Sequence, residues 1–186
     1  IRSLPNINVF NPGSRFEINE IMKIIFKSKK PSFLRLGKCP EVDFYKKNTK
    51  LKNGNGLIVN DGKDLTIYCS GNILENVYEA VNRVELLNYS VKLISMPIMK
   101  PINPQFIKSN FNTKKVLTIE ENSIIGGLSS IIPSIFLKNF QKKIKFRSLA
   151  LDDIVHNKIG DQNYLRDINK LSVNKIYKFL IKYLNE

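Results

Sequence analysis

Between Asp64 and Ala150 one pattern recurs, and it limits the fold more than any other feature. Short β-branched, apolar runs alternate with stretches of helical spacing. The runs are DLTIYCS (64–70), VKLISM (91–96, closed by Pro97), KKVLTIE (114–120) and KIKFRSLA (143–150). After the first, Gly71-Asn72 opens a segment that puts Ile73, Val77, Ala80, Val81, Val84 and Leu87 on one helical face. A short helix is expected near Pro104, and Gly126 to Asn139 reads as a helix tolerating Pro133 near its first turns. Two more helices are expected at about 161–169 and 173–185. Strands this apolar need cover on both faces. The expected class is therefore α/β: a mostly parallel sheet with helices on both faces and right-handed crossovers.

Upstream lies a second, shorter pattern. INVF (7–10) is a strand and Asn11-Pro12-Gly13 a turn. Ser14 and Glu17 have the spacing of a capping box, and Ile18, Ile21, Met22 and Ile25 share a helical face. Beyond Pro31, SFLRLG (32–37) is the next strand. One β-α-β unit cannot cover its own strands, so Ile1 is expected to lie inside a domain whose first part precedes it. From Lys38 the chain turns polar, with the composition of a linker, before a strand at GLIVN (56–60) and a turn at Asp61-Gly62.

Hydrophobic residues make up 42 % of the 186, enough for a sizeable core, and no apolar run reaches the roughly 20 residues of a membrane helix. Cys39 and Cys69 stand far apart with no metal-type spacing, which fits a reducing, cytoplasmic setting and no disulfide framework. The net charge of +14 comes from scattered lysines in a chain also rich in Asn and Ile. We read it as compositional bias. A polyanion-binding face is the alternative, but no helix-turn-helix, zinc-finger or RNP-like pattern accompanies it, so neither nucleic acid nor membrane is an expected partner.

The stretch VLTIEENSIIGGLSS (116–130) carries the sharpest chemical question. Glu120 and Glu121 end an apolar run at the carboxyl end of a parallel strand, where ligands and partners gather in open α/β sheets. Gly126 and Gly127 permit close backbone approach beside a helix start whose free N–H groups favour a carboxylate. The carboxylates are expected to fix the strand-to-helix crossing or a subunit contact, with a catalytic carboxylate as the alternative. No further acid, His or Cys clusters nearby, so no metal site is expected. Asp152 and Asp153 read as turn or interface residues, and His156 as a loop or interface residue rather than a catalyst.

Six segments in order, IRSLPNINVFNPGS, PSFLRLGK, GLIVNDGKDLTIYCSGN, KLISMPIMKPIN, VLTIEENSIIGGLSS and LALDDIV, resemble the C-terminal half of transketolase-like enzymes. They are most similar to the C-terminal section found where transketolase is split into two chains. The resemblance implies that residues 1–37 end a pyrimidine-binding domain, 38–53 link, and 54–186 form a transketolase C-terminal-like domain. It implies an intact enzyme that uses thiamine diphosphate and Mg²⁺ to move a two-carbon ketol unit between sugar phosphates. It also implies an N-terminal section as partner and a homodimer. The family's activating glutamate and its diphosphate-binding motif have no counterpart in these residues. The chain alone is therefore expected to hold no catalytic residue and neither cofactor. Arg35 matches the arginine that reaches the substrate phosphate, a role suited to its planar fork of donors. Two positions depart from the pattern: Pro12-Gly13-Ser14 stands for Pro-Ala-Asp, and Asn122 for a histidine. Asn122 pulls toward 1-deoxyxylulose-5-phosphate synthase, whereas FLRLGK does not follow that enzyme's arginine strand. A domain that only assembles subunits is a further alternative.

Overall fold

The computed structural model describes residues 1–37, 44–139, 143–155 and 157–186. Its elements run β1 (Asn8–Phe10), α1 (Arg15–Lys27), β2 (Ser32–Leu34), β3 (Leu57–Asn60), β4 (Leu65–Ser70), α2 (Leu74–Glu85) and β5 (Val91–Ser95). There follow β6 (Ile98–Lys100), α3 (Pro104–Ser109), β7 (Lys115–Ser123), α4 (Leu128–Asn139), β8 (Lys145–Leu151), α5 (Gln162–Ile168) and α6 (Val173–Asn185). A five-stranded sheet has the order β3-β5-β4-β7-β8. Only the β3–β5 pairing in it is antiparallel. The α/β class and the mostly parallel sheet match the sequence reading.

Strand alternation explains the layering. Leu65, Ile67 and Cys69 of β4, Val91 and Leu93 of β5, and Leu117 and Ile119 of β7 point to one face. There they pack against α2 (Val77, Ala80, Val81, Val84) and α6 (Ile176, Leu180, Tyr183). The intervening side chains, Tyr68, Ile94 and Val116, form the opposite core with α4 residues Leu128, Ile131, Ile132, Ile135 and Phe136. Both faces are covered, so polar strand residues need partners within the layers. Thr66 and Thr113 pair their hydroxyls at 2.9 Å, and Thr118 Oγ1 donates to Ser148 Oγ at 2.9 Å. Leu87 departs from its expected place on the buried face of α2. That helix ends at Glu85, and Leu86 and Leu87 are exposed in the turn beyond it.

The upstream β-α-β unit forms as its pattern predicts, with β1 parallel to β2 and Ser14 capping α1 through the Glu17 N–H. It does not stand alone. β6, which follows the expected strand end at Pro97, adds to β1 antiparallel, and Phe10 aligns with Ile98. Three residues past a proline carry too short a pattern to announce a strand. Phe10, Ile21, Leu51, Leu57 and Ile98 then form a third core that draws on both regions. Gly13 lies against the turn after β4; a Cβ there would sit 2.5 Å from Gly71 O. The described part of the expected linker also packs, since Tyr45 stacks on Phe16 with ring centres 4.9 Å apart and Leu51 is buried.

This shared core generates a test. Ile98→Ala should lower the unfolding free energy by about 2–4 kcal/mol, the range for a buried Ile truncation. Urea unfolding followed by circular dichroism measures it. A loss below about 1 kcal/mol would mean β6 only rests on β1.

Candidate functional site

β7 is an interior strand of the sheet, and at its carboxyl end three consecutive residues take three different roles. The strand runs on to Ser123, so Glu120 and Glu121 lie within it rather than just past its end. Strand alternation sends their side chains to opposite faces.

Glu120 is fully buried and turns toward the start of α4, where its Oε1 accepts from the Ser129 N–H at 2.9 Å. Gly127 makes room for it: a Cβ there would fall 2.0 Å from Glu120 Oε2. Gly126 has φ +86°, a left-handed backbone that favours glycine, and its carbonyl accepts from Arg2 Nε at 2.7 Å. The helix starts at Leu128, two residues later than its sequence suggests, because this glycine turn precedes it. Burial pushes the Glu120 carboxyl above its ordinary value of 4.5, against the lowering effect of the N–H groups of Ser129 and Leu128.

Glu121 faces the other way and meets Arg166 of α5. The contact is bidentate, with Nε to Oε1 at 3.1 Å and Nη2 to Oε2 at 2.9 Å. Arg166 is 6 % exposed, and its Nη1 also donates to Asn76 Oδ1 at 3.3 Å. A fork-on-fork pair of this kind satisfies both groups where water is scarce.

Asn122 completes the set. Arg35, just beyond β2, anchors its own N–H on Phe10 O at 3.0 Å. Its Nη1 donates to Glu121 O at 3.0 Å and to Asn122 Oδ1. The upstream unit thus presents a guanidinium held by the strand end of the other sheet. Among the described residues Nε and Nη2 of Arg35 meet no acceptor, and the side chain stands between two cavities, each of about 530 Å³. Asp153 accepts from Ser123 Oγ at 3.3 Å, a contact between the ends of β7 and β8. His156 and Cys39 lie outside the described residues.

Sequence reasoning singles out Arg35, Glu120, Glu121, Gly126, Gly127 and Asp153, and the structure gathers all of them at this end of the sheet. It misses Arg166, which pairs across 45 residues of chain and leaves no local signal. It also reads Glu17 only as a capping residue. Glu17 is fully buried, accepts from the Gly13 N–H at 2.5 Å and from the Tyr45 hydroxyl, and burial raises its pKa above 4.5. Cys69, fully buried, has its thiol pushed well up by desolvation, so it is an inert core residue. Among the described residues no helix is long and apolar enough to cross a membrane, and no three His, Cys, Asp or Glu side chains gather as a metal site.

The family model for the transketolase C-terminal domain matches residues 54–167, more than half of the chain. The chain belongs to the transketolase C-terminal domain family. A Methanocaldococcus jannaschii protein named for a transketolase C-terminal section is 29 % identical over 83 % of this chain and 48 % of its own length. The 1-deoxy-D-xylulose-5-phosphate synthase of Halothermothrix orenii is 26 % identical over the whole of this chain and 30 % of its own length. One of the subunits of an apulose-4-phosphate transketolase, from Phocaeicola vulgatus, is 24 % identical over 84 % of this chain and 50 % of its own length. A split-gene transketolase solved as an inactive beta4 tetramer shares the fold, with a TM-score of 0.85 at 24 % identity, over 99 % of this chain and 59 % of that one. The chain therefore spans half or less of these curated relatives.

In this transketolase-family chain the two glutamates should respond differently to neutralisation. Glu121→Gln leaves the buried Arg166 without its counter-charge and should cost roughly 3 kcal/mol. Glu120→Gln mimics the protonated form that burial favours. A raised carboxyl pKa supplies stability that is complete below 4.5 and fades as pH climbs through the raised value. Wild-type protein should therefore lose stability relative to Glu120→Gln as the pH rises from 4.5 through the raised value. Thermal melts of both variants across that range decide it. Equal losses for the two, independent of pH, would contradict the assignment.

Proposed function

We propose that this chain is the C-terminal portion of a thiamine-diphosphate-dependent transketolase-like transferase that moves a two-carbon ketol unit between sugar phosphates. Residues 1–37 would complete a pyrimidine-binding domain, 38–53 link, and 54–186 form the C-terminal domain. An N-terminal section would supply the remaining binding groups, in a homodimeric cytoplasmic enzyme. The observation that carries this reading is Arg35: a guanidinium whose Nε and Nη2 meet no acceptor among the described residues, held at the carboxyl end of a parallel strand by Glu121 O and Asn122. A planar, permanently charged fork suits a substrate phosphate.

The described side chains do not form a metal–diphosphate site. Asp61 accepts from the Gly62 N–H and pairs with Lys92 at 3.0 Å, so this Asp-Gly is a turn fixed by its own lysine. No step through thiamine diphosphate or Mg²⁺ is assigned to these residues; in the intact enzyme the cofactor would supply the carbanion chemistry. This chain's part is assembly and the holding of the substrate's charged end. A second reading, 1-deoxyxylulose-5-phosphate synthase, is favoured by Asn122 in the EEN segment and by the Halothermothrix orenii relative. It differs in the product formed.

In the assembled enzyme, Arg35→Ala should reduce kcat/KM for phosphorylated substrates by about ten- to a hundredfold, the worth of a charge-assisted contact. Unphosphorylated analogues should change little. Equal losses for both would make Arg35 a structural residue. Calorimetry of the chain alone with thiamine diphosphate and Mg²⁺ should give no binding heat. A micromolar Kd, about −8 kcal/mol, would refute the division of labour.

A further inference from the structure

Arg35 and Glu121 are already in contact, but only through the main chain of the glutamate. The Arg35 Nη1 donates to the Glu121 carbonyl oxygen at 3.0 Å. A guanidinium bound there lies within the sweep of that residue's own side chain, and both residues line the cavity between the upstream unit and α5. Arg35 Nε and Nη2 meet no acceptor among the described residues, and an arginine fork with idle donors matches a carboxylate. Glu121 nevertheless turns away from it. Its two oxygens accept from Arg166 Nε at 3.1 Å and Nη2 at 2.9 Å, and no other donor among the described residues meets them.

The anchoring of Arg166 fixes this choice of partner. Its Nη1 donates to Asn76 Oδ1 at 3.3 Å, and Asn76 Nδ2 donates in turn to Leu171 O at 3.2 Å. The Leu171 N–H donates to the Arg166 carbonyl at 2.7 Å, across a turn where Lys170 takes φ +64°. Arg166 is thus tied to α2 and to the turn between α5 and α6, with 6 % of its side chain exposed. Glu121 keeps 20 % of its side chain exposed and is the one carboxylate among the described residues that line the cavity.

We propose that Arg166 is a positioning residue whose clamp on Glu121 keeps the Arg35 guanidinium open for substrate. The proposal rests on the reading of Arg35 as a phosphate-binding residue and adds the device that guards it. Without Arg166 the Glu121 carboxylate swings to the idle Arg35 donors, and a substrate phosphate has to displace it. An anion tethered beside its target competes at a high effective concentration. Arg166 itself touches no substrate on this account and acts through Glu121.

The test is the KM-against-kcat split in the assembled enzyme, with phosphorylated substrates and unphosphorylated analogues. Arg166→Met should raise KM for phosphorylated substrates about tenfold, the worth of displacing one charge-assisted contact, and change kcat and the analogues' kinetics by less than about twofold. Adding Glu121→Gln to Arg166→Met should bring KM back to within about threefold of wild type, because the amide has no charge with which to compete. Arg166→Lys, which offers the carboxylate a point charge in place of a fork, should fall between wild type and Arg166→Met. Should Arg166→Met fail to assemble, Arg166→Lys carries the comparison: a phosphate-selective rise in KM supports the clamp, and an equal change for both substrate classes overturns it. A phosphate-selective loss in Arg166→Met that Glu121→Gln does not relieve also overturns it. If Arg35→Ala is phosphate-selective and Arg166→Met is not, the clamp is wrong and the reading of Arg35 stands. If Arg35→Ala shows no selectivity, that reading falls and the clamp with it.

Discussion

The structure depends on how the end of β7 disposes of three polar residues. A strand leaving a buried sheet carries its last side chains out of an environment that penalises charge, and each must find a partner at once. Glu120 finds the N–H groups at the start of α4, Glu121 finds Arg166 on α5, and Asn122 finds Arg35 from the upstream unit. One strand end thus fixes a helix behind it, a helix beside it and the last turn of another sheet. Glycine at 127 is a condition of the arrangement, because any side chain there would collide with the Glu120 carboxylate.

The same region couples two parts of the chain that their sequence patterns present as separate. β6 reaches across to β1, Ile98 shares a core with Phe10 and Ile21, and Gly13 lies on the turn after β4. Apolar burial supplies the bulk of that adhesion, and the Arg35 contacts give it direction. The Nη1 of Arg35 is satisfied by the larger sheet, and its other donors meet no acceptor among the described residues. For a residue proposed to read a phosphate this is preorganisation: its orientation is set before any ligand arrives.

How much of this the sequence announces follows from range. The four long strands and α2 are legible because their signals are local. Leu65, Ile67 and Cys69 alternate against Tyr68, and Val77, Ala80, Val81 and Val84 recur at helical spacing. Ser14 and Glu17 announce the start of α1, although the Glu17 carboxylate reaches Gly13 and Tyr45 inside the core. What stays hidden is non-local. β6 has only three residues and is a strand because β1 lies beside it. Arg166 sits in a seven-residue helix, and its burial makes sense only once Glu121 is placed opposite. The glutamates stand out by their position after an apolar run. Which of them meets an N–H and which a guanidinium depends on the two faces of the sheet, and those are defined only when the helices have packed.

The central claim is that the larger sheet holds the guanidinium that the substrate meets. Asn122 tests it most directly, because it touches Arg35 and, on this account, no substrate. In the assembled enzyme, the KM-against-kcat split for Asn122→Ala is the measurement. The account predicts a higher KM for phosphorylated substrates, unchanged values for unphosphorylated analogues, and an unaltered melting temperature. An equal change for both substrate classes, or no change with either, would contradict it.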